Sequence, residues 1–243
     1  MKIYLCGQKY FGQEVLNMLA SNKYDIIGVS APPVDEKGKP DRLYKLAKLH
    51  GLPLMPAGKL NAGNMPAGVD VIVCAHSHDF IGTKTIEKTR FGAIGYHPSL
   101  LPRHRGRDAI YWTLKMDDPV TGGSVYWFND KVDGGDIAAQ GWCFTRQEDT
   151  PGKLWQRELQ PMGIALLQKV LRDLEDGVII KEPQDEQYAT WEPSTGRPPL
   201  YRPDLPQIGA PLEGYEVKRK TNRWGAEKVK DNRYALENEL GFH

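Results

Sequence analysis

Long apolar runs are missing from this chain: no stretch among its 243 residues approaches the ~20 that a membrane-spanning helix needs. The opening MKIYLCG reads as a strand entering a turn, with no basic n-region, apolar core or cleavage site, which points to a cytoplasmic, non-membrane protein. Cysteine is scarce as well. Cys6, Cys74 and Cys143 are far apart in apolar or β-like surroundings, which excludes a zinc-finger spacing and predicts buried free thiols. Charge of one sign is not in excess: 32 Lys and Arg face 31 Asp and Glu, so nothing global calls for a polyanionic partner. The glycines at 7 and 12 do not make G-x-G-x-x-G, so no nicotinamide site is expected. Internal repeats are absent too.

What is present is a soluble composition, 40% apolar and 26% charged, in a length that fits one large domain or one domain with an appendage. Lys2–Gly7, Tyr24–Ser30, Val69–His76 and Gly92–His97 are short apolar runs with the length of buried strands. Between them lie helical patterns: 12–20 with Val15, Leu16 and Leu19 on one face, a helix capped by Asp41 and ended near His50, and a short one over 83–89. Strands alternating with helices predict an α/β fold, a doubly wound and mostly parallel sheet. A helix after Arg107 leads into a β-rich stretch over 123–145, and one long amphipathic helix is expected over 150–176, ended by Gly177. The domain boundary is expected near 190. From 191 a Pro-rich and charged C-terminal extension follows, with six prolines between Glu192 and Gly214 and a basic cluster of Lys218, Arg219, Lys220 and Arg223 beside Trp224. It reads as a solvated tail or a strap; the sharper alternative is a docking arm for a partner or RNA.

Two segments carry the chemistry. In YHPSLLPRHRG, His97 ends a strand immediately before Pro98, at the carboxyl end where open α/β sheets place their crevices. In VDGGDI, Asp133 stands at a turn formed with Gly134 and Gly135.

These two segments, with MKIYLCGQKYFGQEV and AIYWTLK, resemble the formyltransferase family that uses 10-formyltetrahydrofolate, and within it most nearly the N-terminal hydrolase domains of the 10-formyltetrahydrofolate dehydrogenases. The likeness covers about three quarters of the chain, fades after Ala189, and implies a Rossmann-like formyltransferase fold. It also implies a folate donor, no metal and no NAD, with His97 and Asp133 as the catalytic pair. Formyl transfer passes through a tetrahedral intermediate that needs an oxyanion donor, a proton acceptor for the nucleophile and a proton for the leaving nitrogen. His97 is expected to face the oxyanion, and Asp133 to hold the His97 tautomer and accept protons.

The chain departs from the family at Gly95, where formyltransferases carry an asparagine whose amide polarises the formyl oxygen. Losing one such donor costs about 10²–10³ in rate, so the expectation leans to water as acceptor. Glycine is expected to leave a space there for a water, a bulkier acceptor or a side chain reaching in from elsewhere. An amine acceptor of the amino-sugar nucleotide, glycinamide ribonucleotide or methionyl-tRNA type remains open, and so does a folate-binding module without turnover. Nucleic acid enters only through tRNA. The oligomeric state is undetermined. The folate cleft is expected between two loops, one with His78, Asp79, Phe80 and Ile81, the other with Asn129, Lys131 and Val132. The H-x-H-D at 76–79 is too isolated to read as a metal site. Arg105 and Arg107 are candidates for a substrate carboxylate or phosphate, with an ion-pair role for Arg105 as the alternative.

Overall fold

The computed structural model describes residues 1–77 and 79–192, together with the backbone of two strands, Arg219–Thr221 and Glu227–Val229. Seven strands form one sheet: β1 (Lys2–Gly7), β2 (Asp25–Ala31), β3 (Leu54–Pro56), β4 (Val71–Ala75), β5 (Gly92–His97), β6 (Val120–Trp127) and β7 (Ile137–Phe144). Their order is β3-β2-β1-β4-β5-β6-β7. The first five are parallel, and β6 and β7 are added antiparallel.

Side chains of β1 alternate between the two faces, as the strand period requires. Ile3 and Leu5 join Val71, Val73 and Ile94 under α1 (Lys9–Ser21), α2 (Arg42–Leu49) and α6 (Gln160–Glu175). Tyr4 and Cys6 face the other way, with Ile72, Cys74, Leu60 and Ile81. Asp41 caps α2 as expected, accepting from Leu43 N and Tyr44 N, and its second oxygen also takes Lys9 N at the start of α1. All three cysteines are buried free thiols. Among the described residues no helix is long and apolar enough to cross a membrane.

Two local expectations change. The helix expected over 83–89 stops early: α3 is Thr83–Ile86, because the Thr89 hydroxyl donates to Ile86 O and turns the chain into β5. The long helix is not uniform. Beyond α4 (Ala109–Lys115), the helix expected after Arg107, it runs as α5 (Pro151–Leu154), a π-helical turn over Trp155–Leu159, and α6, and Pro161 falls in the first turn of α6, where its missing N–H is tolerated. Gly177, with φ of +76°, ends it as expected. In the extension β8 (Arg219–Thr221) pairs antiparallel with β9 (Glu227–Val229). Lys218, Arg223, Trp224 and the Pro-rich stretch beyond Glu192 lie outside the described residues.

Candidate active site

The strand order reverses between β1 and β4, and a crevice is expected at the carboxyl ends of the strands beside that reversal. His97 sits at such an end, on β5, paired in register with Ser124 of β6 and almost fully buried. The loop that follows it is tied back to the sheet. Ser124 Oγ accepts from Leu101 N and donates to Ser99 O, while Gln140 Nε2 donates to both Leu101 O and Ser124 Oγ.

That loop returns its own main chain to the imidazole: His97 Nε2 lies 2.7 Å from the His104 carbonyl oxygen. A carbonyl only accepts, so Nε2 carries a proton and Nδ1 is the atom left to face the reaction. Nδ1 stands 3.6 Å from Asp133 Oδ2. The expectation that Asp133 fixes the His97 tautomer is therefore corrected: that separation is beyond hydrogen-bond length, and the His104 carbonyl sets the tautomer instead.

Asp133 is itself held from two sides. Its Oδ2 accepts from Gly106 N at 2.7 Å and its Oδ1 from the Tyr126 hydroxyl at 2.5 Å. Its backbone is in the left-handed region, φ of +50°, which Asp tolerates better than most residues. Gly135 permits the turn, because a Cβ there would lie 1.6 Å from the Trp127 carbonyl oxygen. Burial, and next the neighbouring Asp133 carboxylate, raise the Tyr126 phenol well above its ordinary value. Tyr126 therefore stays an O–H donor over the working pH range. No motif marks Tyr126; its one signal is its place in β6, two residues from Ser124 on the same face.

Gly95 is not an empty notch. A Cβ built there would meet Phe128 Cε1 at 2.5 Å, Phe128 Cζ at 3.0 Å and Cys74 Cβ at 3.6 Å. Of the occupants considered for the space, the structure places a side chain from elsewhere, Phe128, which stacks on Tyr126 with centroids 5.3 Å apart.

Arg105 is corrected. Its side chain is fully buried and its guanidinium donates to Gln184 Oε1 and to both oxygens of Glu186, so it is not presented to a substrate anion. The hydrogen bond from Arg105 holds the Glu186 carboxyl below its ordinary value. Gln184 in turn donates to Asp133 O and Gly135 O, so Arg105 supports the Asp133 turn from beneath. Arg107 is exposed.

A second charged group lies behind the same loop. His104 is buried between Asp118 Oδ2 at 2.9 Å and Glu192 Oε2 at 3.0 Å, and Arg103 also pairs with Asp118. Burial opposes its charge, but the two carboxylates outweigh burial and raise the His104 imidazole. The main chain of 104–105 is clamped by Thr190, and the packed chain runs on through Trp191 to the buried Glu192.

The two loops expected to hold folate are less uniform. His78 lies outside the described residues. Asp79 Oδ1 accepts from Gly58 N, Oδ2 is buried with no partner among the described residues, and burial raises its carboxyl. Phe80 is 84% exposed, whereas Ile81 is buried in the lower apolar cluster. In the other loop Asn129 donates to Gly134 O and accepts from Lys131 N, Lys131 Nζ lies 3.4 Å from Glu186, and Val132 is exposed.

The mouse mitochondrial 10-formyltetrahydrofolate dehydrogenase is 37% identical to this chain over 202 residues, covering 79% of the chain and 22% of that enzyme. This chain thus spans about a fifth of the length of that relative. A methionyl-tRNA formyltransferase from Lactobacillus delbrueckii subsp. bulgaricus is 27% identical over 205 residues, 80% of this chain and 65% of its own. The fold is similar to the N-formyltransferase of Helicobacter canadensis, solved with folinic acid and dTDP-3-aminofucose, with a TM-score of 0.64 at 14% identity over 79% of this chain and 70% of that one. The formyl transferase family model matches residues 3–170, well over half of the sequence, and the protein belongs to that family.

Proposed function

We propose that this protein takes the formyl group from 10-formyltetrahydrofolate and passes it to water, giving formate and tetrahydrofolate. The observation that carries the reading is the facing of His97 Nδ1 and Asp133 Oδ2 at 3.6 Å, with Nε2 tied away to a carbonyl. At that separation a single oxygen atom lies within about 2.8 Å of both, ordinary hydrogen-bond distance, so one water is held by the two groups together.

Asp133, as carboxylate, takes a proton from this water while its oxygen bonds to the formyl carbon. The formyl oxygen gains charge as the tetrahedral intermediate forms. The second hydrogen of the water is accepted by His97 Nδ1, which keeps its lone pair because Nε2–H is given to the His104 carbonyl. The tetrahedral intermediate collapses, the C–N10 bond breaks, and the proton on Asp133 passes to N10. Formic acid leaves and ionises, and the pair returns to its starting state. Tyr126 and Gly106 keep the Asp133 oxygens in place through the cycle. Asp79 Oδ2, without a partner among the described residues, is an acceptor for a pterin N–H, and Arg107 is an exposed cation for a folate carboxylate.

Transfer to an amine is the second reading. The relatives named above for tRNA and sugar formylation point that way. Incubation with 10-formyltetrahydrofolate alone separates the two: hydrolysis gives equal formate and tetrahydrofolate with no added acceptor. If tetrahydrofolate appears only when an amine is supplied, the transferase reading replaces it.

A further inference from the structure

We propose that Phe128 is a specificity-determining residue, whose ring closes the formyl site on the side of Gly95 and denies an amine acceptor both room and a polar partner. The proposal rests on the formyl-handling role of His97 and Asp133 given above.

Gly95 lies in the middle of the site's floor, in register with Cys74 of β4 on one side and Tyr126 of β6 on the other. Every side chain begins with a Cβ, and here that atom would press into the Phe128 ring edge at 2.5 Å. Position 95 and the ring therefore compete for one volume, and the ring has it. Three contacts keep it there. Phe128 N donates to Ala93 O at 2.8 Å, extending the β5–β6 pairing past the end of β6. The ring stacks on Tyr126 at an interplanar angle of 22°, and Tyr126 is anchored through its hydroxyl to Asp133. Phe128 also packs against both apolar clusters on this face of the sheet. It is only partly buried, so it is a wall of the cleft and not a core residue.

The chemical consequence is specific. An amine acceptor is larger than water and needs its N–H groups oriented and its lone pair aimed at the formyl carbon. A hydrocarbon edge beside a residue with no side chain supplies no acceptor or donor for that. Water needs only the two groups opposite, His97 and Asp133. Phe128 thus selects the nucleophile by size and by withholding hydrogen bonds, while the pair across the cleft does the proton chemistry.

The test measures how the formyl group partitions. Wild type, Phe128→Ala, Phe128→Leu, Gly95→Asn and the double variant Gly95→Asn/Phe128→Ala are each given 10-formyltetrahydrofolate with excess glycinamide, and N-formylglycinamide and formate are quantified by mass spectrometry. Wild type and Phe128→Leu yield formate almost exclusively. Phe128→Ala raises the formylglycinamide-to-formate ratio at least tenfold, and the double variant raises it further by restoring an amide donor. Gly95→Asn alone lowers the melting temperature, and Phe128→Ala restores it in the double variant, because the two side chains contend for the same space. If Phe128→Ala does not fold, Phe128→Val serves as the opened site. An unchanged ratio in a folded variant that still consumes folate overturns this proposal alone, and so does ready formylation of glycinamide by wild type. No folate consumption by wild type, with or without glycinamide, overturns the underlying reading of the site and this proposal with it.

Discussion

Replacing Tyr126 by Phe isolates the hydrogen bond that holds the proposed base. The substitution removes one oxygen and leaves the ring that stacks on Phe128, so the wall of the cleft is unchanged. What is lost is the 2.5 Å bond to Asp133 Oδ1, leaving Gly106 N on the other oxygen. A hydrogen bond to a charged group contributes about 1.5–3 kcal/mol. If that bond is what keeps Asp133 aimed at the water, its loss appears in the barrier, and at 1.36 kcal/mol per decade kcat falls about 10- to 160-fold. The pterin loops are elsewhere in the cleft, so KM for 10-formyltetrahydrofolate changes less than threefold, roughly the scatter of a silent surface change. The assay follows tetrahydrofolate formation at several donor concentrations to separate kcat from KM. A kcat within twofold of wild type would refute the assignment, and so would a loss confined to KM.

Other perturbations follow from the same geometry. His97→Ala and Asp133→Ala each lower kcat by about 10²–10⁴, the usual contribution of a general acid or base, while equilibrium titration still shows folate binding. Arg105→Ala leaves Gln184 Oε1 without its donors, costs about 1–3 kcal/mol and lowers the melting temperature by about 2–12 °C. Its effect is on the Asp133 turn, so KM for folate is not the parameter that moves most. The His104 imidazole is raised in the fold, so its contribution to stability is complete below the ordinary histidine range near about 6.5 and is lost as pH rises through the raised value. Asp118, held down by His104 and Arg103 against its burial, contributes in the opposite sense and loses its share as pH falls. Denaturant titrations of His104→Gln should therefore lack the decline of stability on the alkaline side that wild type displays.

The sheet was legible where strands are apolar runs of five to seven residues: β1, β2, β4 and β5 all stand where the pattern puts them. β3 was not, because Leu54–Pro56 is a three-residue edge strand containing a proline and has no periodicity to read. The helix over 150–176 was recognised by its apolar spacing, but the π turn inside it changes the register by one residue without breaking that spacing. In the site, the pair His97 and Asp133 came from motifs, since each sits in a distinctive local string. The residues that orient them did not. The His104 carbonyl is a backbone atom, Tyr126 is an ordinary strand aromatic, and Gln184 and Glu186 reach Arg105 across about eighty residues of chain. A sequence also cannot say whether a glycine marks a void or a contact. At Gly95 it marks a contact, with a ring 33 positions away.

The central claim is that water, positioned by Asp133 and His97, receives the formyl group. It is tested most directly by running the reaction in ¹⁸O-labelled water and analysing the formate. The account predicts one ¹⁸O atom in each formate released by wild type, formed in step with tetrahydrofolate without any amine, and loss of this labelled formate in Asp133→Asn. Labelled formate produced by Asp133→Asn at the wild-type rate, or no labelled formate from wild type above the uncatalysed background, would contradict it.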